Sequence, residues 1–188
     1  MKQEWLKLIV YVIFLFLFFT HKTEANSQVL IPEGKFHMGT EKGTQAERPV
    51  HSIWLDAFFL DRFEITNKDF EKLNPSFQRS QASSCDDCPA TRVTWEEAKS
   101  YCQRLGKRLP TEAEWEKAAR GNDDRSFVWG QESHNDWANL GKKVQPGGSF
   151  KKDVSMAGVF DMTGNVSEWT ASWYRPYPDS TYKDENFG

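Results

Sequence analysis

The sequence predicts an α+β chain, compact and rich in loops. Three observations carry this. Strand-like segments cluster in the first third, where His51 to Leu55 reads as a half-buried strand. Two helices follow together, each opened by the same four-residue signal, Thr94-Trp95-Glu96-Glu97 and Thr111-Glu112-Ala113-Glu114. The remainder, from Asn122 to Gly188, reads as loops and short strands in which Gly, Asn, Asp and Trp recur. Segregated helices and strands argue against a doubly wound parallel sheet.

In chain order, the N-terminus carries lysines at 2 and 7, then an unbroken apolar run of twelve residues, Leu8 to Phe19. A membrane-spanning helix needs about 20 such residues, so the run is read as the core of a secretory leader. Thr23-Glu24-Ala25 supplies small residues at the last and third-last positions before a cut, so the expected leader is 1–25 and the expected domain 26–188. Secretion or periplasmic export follows, with no membrane span left after cleavage.

Ile31-Pro32-Glu33-Gly34 reads as a turn and Lys35 to Met38 as a short strand. Phe58 to Ile65 is a second extended stretch. Thr66 then caps a short helix, Asn67 to Leu73, closed by Asn74 and Pro75. Pro75 to Pro89 is loop. In both four-residue signals the Thr hydroxyl and the Glu carboxylate each satisfy a backbone N–H left unpaired at a helix start. Trp95, Ala98, Tyr101, Cys102 and Leu105 share one face of the first helix, and Gly106 stands at its stop. Trp115, Ala118 and Ala119 form the stripe of the second, which Gly121 ends.

Composition narrows function. Basic residues number 24 against 27 acidic, a net charge of −3, which excludes a protein built mainly to coat nucleic acid. Aromatics at 14% exclude a disordered linker. No P-loop, dinucleotide fingerprint or Gly-x-Ser-x-Gly elbow occurs. His37, His51 and His134 are scattered and read as surface or strand residues. Trp129, Trp137, Trp169 and Trp173 are open to two readings, the lining of a substrate groove or core.

Three cysteines remain, an odd number for an exported chain. Cys85-Asp86-Asp87-Cys88 lacks the βαβ context of a thioredoxin-like site and the further ligands of a zinc site. A local disulfide stapling the loop is the expected arrangement, with unpaired thiols the alternative. Cys102 lies on the apolar helix face as a buried free thiol.

Several blocks, taken together, resemble the formylglycine-generating enzyme (sulfatase-modifying factor) family. They are Ile31 to Gly39, Glu47-Arg48-Pro49-Val50-His51, Phe63-Glu64-Ile65-Thr66-Asn67, Val93 through Glu116, and Gly158 through Thr170. The resemblance implies a C-type-lectin-like fold, structural calcium and, in the true enzymes, copper- and oxygen-dependent oxidation of a substrate cysteine to formylglycine. An exported sulfatase or another protein is then the implied partner. In the family, an Arg-Gly-Gly-Ser-Trp-like strand, two active-site cysteines and a Gly-Phe-Arg ending come next. None occurs before Gly188. The expectation is a family domain truncated at its C-terminus, with no catalytic residue of its own and copper only in a full-length catalytic form. The resemblance also pairs Cys102 with a cysteine of that further segment. A non-catalytic, calcium-stabilised binding or structural module of the same fold is the alternative.

The resemblance assigns calcium to the side chains of Asp161 and Glu168 with the carbonyls of Gly164 and Val166. It assigns a second site beginning at Asn139 and Leu140, whose later acidic ligand has no match in the Gly141 to Lys152 loop. Spacing alone leaves a tight turn open, its two acids accepting backbone N–H bonds. A hard cation such as calcium takes six to eight oxygens, and a Gly-Asn turn flanked by two acids is a source of them.

Overall fold

The structure is a computed structural model that describes residues 28–141 and 143–188. The expected leader, 1–25, lies outside the described residues.

Among the described residues, four strands form two two-stranded sheets. Strand β1 (Gln28–Ile31) pairs antiparallel with β4 (Phe58–Asp61), and β2 (Gly34–Met38) pairs antiparallel with β3 (His51–Leu55). Alternation decides the faces. Val29, Ile31, Phe36, Met38 and Phe58 point into the core. Leu30 stands opposite Phe59, and Lys35 opposite Trp54, on the outer side. The expected strands at 35–38 and 51–55 are present. The segment before the Pro32-Glu33 turn is a strand that sequence reading did not assign, because its partner β4 lies some thirty residues on.

Helix α1 (Asn67–Leu73) starts at Thr66, whose hydroxyl accepts the Asp69 N–H at 3.1 Å. Helices α2 (Trp95–Arg104) and α3 (Glu112–Arg120) both carry the expected reciprocal caps. The Thr94 N–H donates to Glu97 at 2.8 Å, and the Thr111 N–H to Glu114 at 2.8 Å. Gly106 and Gly121 both take a φ of +69°, a left-handed value that suits glycine at a helix stop.

The main core joins Val29, Ile31 and Phe58 to Ala118 and Ala119 of α3 and to Val128, Val159 and Met162 of the C-terminal half. A smaller cluster packs Phe36 and Met38 against Tyr177. Lys117 is buried between them. Its ammonium donates to the carbonyls of Pro32 at 2.8 Å and Gly34 at 3.0 Å, tying α3 to the β1–β2 corner. Burial holds this ammonium below the ordinary lysine range.

From 122 onward the described residues contain only isolated bridges, Phe127 with Gly130 and Val154 with Phe160, where short strands were expected. Trp129 packs on the core and Trp137 stacks on His134, whereas Trp169 and Trp173 are exposed. Among the described residues, no helix is long and apolar enough to cross a membrane.

Candidate functional site

The Gly158–Glu168 segment turns sharply, with Asp161 at φ +59° and Asn165 at φ +69°. Non-glycine residues rarely take such values, and Asp and Asn tolerate them best. Long-range contacts hold the turn there. The Phe160 N–H donates to the Arg62 carbonyl at 3.0 Å, Asp161 N–H to the Asp153 carbonyl at 2.9 Å, and Asn165 N–H to the Asn139 carbonyl at 3.0 Å. Gly164 is needed because a Cβ there would stand 2.9 Å from the Asn139 carbonyl oxygen.

Sequence reading named six residues, and the turn places five of them together. Asp161 is buried and its Oδ2 accepts the Gly148 N–H at 2.6 Å. Glu168 accepts the Trp115 indole N–H. Asn139 is buried against Gly164, and its amide donates to Asn165 Oδ1 at 3.0 Å. Val166 follows Asn165 on the same turn. Leu140 is 46% exposed and stands apart. Asn139, assigned by resemblance to a separate site, thus adjoins the Asp161–Glu168 turn.

Two further acids come in from elsewhere. Glu64, from the stretch after β4, accepts Asn165 Nδ2 at 2.8 Å through Oε2. Asp153 is fully buried and accepts the Thr163 N–H at 3.1 Å through Oδ1. Sequence reading missed both as site residues, although Glu64 lies in one of the quoted blocks.

Burial pushes the Glu64 carboxyl up to about 8, with the Asn165 amide opposing and the negative charges of Asp161 and Glu168 adding. Burial likewise pushes Glu168 up to about 7, against the Trp115 indole N–H and with Asp161 and Asp153 adding. The Glu168 residue is solvent-accessible, yet its carboxyl is crowded on most sides because it lines a hollow rather than a flat surface. Burial also raises Asp153 and Asp161.

That hollow, of about 550 Å³, lies between β4, α2 and the turn. Phe63, Tyr101 and Trp169 give it apolar walls, and both Glu64 and Glu168 reach it. An ion pair between Lys107 and Asp61, 2.8 Å apart, also lines it. Cys102 lines it as a half-buried free thiol, raised above its ordinary range by burial and then by the Asp61 charge. Leu105, expected on the core stripe, is 44% exposed because α2 faces this hollow.

Three buried oxygens here lack hydrogen-bond donors: Glu64 Oε1, Asn139 Oδ1 and Asp153 Oδ2. Buried acceptors without donors are costly, and mutually repelling carboxylates add to the cost. A hard cation relieves both, since it prefers carboxylate and carbonyl oxygen. The donor set therefore fits calcium in chemical type. As arranged here, the described acids form no ready-made group of three around one point.

The residues do not fit copper. Cu(I) favours soft sulfur ligands. Cys85 and Cys88 are joined in a disulfide, as expected for that loop, and Cys102 is single.

Comparisons with known proteins agree with the sequence blocks and the fold. Residues 17–186 match the family described as sulfatase-modifying factor enzyme 1-like domain. The inactive C-alpha-formylglycine-generating enzyme 2 of Bos taurus is 29% identical over 215 residues, covering 79% of this chain and 71% of that protein. The formylglycine-generating enzyme of Mus musculus is 27% identical over 215 residues, covering 78% of this chain and 58% of that protein. Among solved structures, PvdO from Pseudomonas aeruginosa superposes with a TM-score of 0.66 at 27% identity, covering 79% of this chain and 71% of that one. With a match across most of its length and the same α+β architecture, the chain belongs to the sulfatase-modifying factor enzyme 1-like family.

Proposed function

We propose that this chain is an exported sulfatase-modifying-factor-like protein, in which the 158–168 turn is a calcium-stabilised scaffold. The family activity is oxidation of a protein cysteine to formylglycine, and the residues that carry it are not among those of this chain. The three donor-less buried oxygens around the turn carry the calcium reading. Asp161 and Glu168 would hold the ion through their side chains and Gly164 and Val166 through their carbonyls, with Glu64 and Asn139 beside them. Calcium would supply charge neutralisation and rigidity there. The chain's own residues position the turn: Asn165 braces Glu64, Asp153 pins Thr163, and Trp115 orients Glu168. An exported sulfatase or another protein substrate is the proposed partner.

A second reading is a non-catalytic binding or structural module. It is favoured by the disulfide, which leaves Cys102 as the single free thiol, and by the similarity to a relative named inactive. One assay addresses both readings. The 188-residue chain is incubated with copper, reductant, oxygen and a peptide carrying the sulfatase cysteine motif, and the products are read by mass spectrometry. The expected result is unchanged peptide thiol. An aldehyde product that depends on this chain overturns the assignment. Reading the DNA beyond the Gly188 codon then separates the two: an in-frame continuation with paired cysteines supports the enzyme, and one without them supports the module. Export is checked by N-terminal sequencing of the secreted product, with Asn26 expected as the first residue and Met1 on a membrane-bound product as the contrary result.

A further inference from the structure

The calcium scaffold does not draw on the Cys85–Cys88 loop, and neither reading of the function assigns chemistry to its disulfide. Its two cysteines are three positions apart in the chain. Stabilisation by a cross-link grows with the length of the loop it closes, so a loop this short gains less from its disulfide than a long one would. Other contacts hold the loop instead. Asn67, fully buried, donates its backbone N–H to the Cys88 carbonyl at 2.8 Å and its side-chain amide to the carbonyls of Cys85 at 2.9 Å and Ser83 at 2.8 Å. The Lys68 N–H donates to the Asp86 carbonyl at 3.1 Å. Arg79 bridges Glu71, Asp86 and the Ser84 carbonyl. The buried Ser83 hydroxyl donates to the Pro89 carbonyl, and the Ala90 N–H to the Ile65 carbonyl at 2.8 Å. None of these bonds passes through sulfur. The frame therefore keeps the two cysteines facing each other whether or not they are bonded.

The two sulfurs differ in access. Cys85 is an exposed residue, whereas Cys88 is 4% exposed. Thiol–disulfide exchange requires a thiolate to reach one particular sulfur.

We propose that Cys85–Cys88 is a reversible thiol–disulfide exchange site whose partners are small or peptide thiols, with Cys85 the sulfur attacked. An incoming thiolate bonds to Cys85 Sγ, the Cys85–Cys88 bond breaks, and Cys88 leaves as a thiolate that takes a proton from water. A second thiol attacks the mixed disulfide and releases Cys85. The pair gains two electrons and two protons, and the two partner thiols are oxidised to one disulfide. The reverse sequence reforms the bond, because the frame has not moved.

The test uses the oxidised 188-residue chain. Treatment with dithiothreitol without denaturant, then alkylation and peptide mass spectrometry, should label Cys85 and Cys88 while the melting temperature changes by less than about 5 °C. With oxidised glutathione, Cys88→Ser should acquire a mixed disulfide at Cys85 about tenfold faster than Cys85→Ser acquires one at Cys88. A disulfide that opens only in denaturant overturns the proposal. So does cooperative unfolding on reduction or in either variant, since the frame is then not independent of the bond. Equal rates for the two variants overturn the assignment of Cys85.

Discussion

Calcium added to the chelator-treated chain should raise its melting temperature by about 5–10 °C at saturating metal. A ligand that binds only the folded state stabilises it by about 2.7 kcal/mol at a hundredfold excess over Kd. For a chain of this size each kcal/mol is worth roughly 2–4 °C. Asp161→Ala should abolish the increase. This variant also loses stability without metal, because alanine is strained at a φ of +59°, so the increment is the readout and not the absolute value. An identical increment in wild type and Asp161→Ala would show that calcium binds elsewhere.

The same site has a definite pH signature. The folded Glu64 carboxyl sits at about 8, above its ordinary value of 4.5, so the folded chain holds more protons than the unfolded one between those values. Stability from this group is fully present below pH 4.5 and is lost as pH rises through 8. Glu168, at about 7, acts in the same direction. In chelator, the melting temperature should therefore fall from pH 5 to pH 8. The loss corresponds to about 2 kcal/mol once the shift is discounted for water reaching the hollow. Calcium takes the place of the protons, so its increment should be larger at pH 8 than at pH 5. Differential scanning calorimetry at the two values measures both slopes, and a metal-free melting temperature that rises with pH would contradict the arrangement.

Lys117→Met should cost about 3 kcal/mol, seen as a lower urea midpoint at unchanged slope. Methionine matches the lysine stem in volume but leaves the Pro32 and Gly34 carbonyls without their shared donor. A hydrogen bond to a charged donor contributes roughly 1.5–3 kcal/mol, and the abandoned acceptors add desolvation cost. Lys35→Met, on the exposed outer face of β2, is the control and should change stability by less than about 0.5 kcal/mol. Equal effects of the two substitutions would show that the clamp on the β1–β2 corner does not stabilise the fold.

Sequence by itself determined the elements whose hydrogen bonds close within a few residues. The caps at Thr66, Thr94 and Thr111 and the stops at Gly106 and Gly121 are all of this kind, and all are present. It also identified the family, since its blocks recur in order, and pointed to the Asp161–Glu168 turn. Only the tertiary structure decided what surrounds that turn. Glu64 lies about a hundred residues upstream and meets Asn165 because β4 and the turn pack on one core. Asn139 and Asp153 arrive through backbone bonds to the same turn, which no periodicity records. Burial reversals have the same origin. Lys117, of a residue type that is ordinarily exposed, is buried because two carbonyls at a strand corner face its helix. Leu105 belonged to an apolar stripe and is exposed because that face of α2 borders a hollow. Local hydrogen bonding is written in neighbouring residues, whereas burial and charge coupling depend on which distant surfaces the chain brings together.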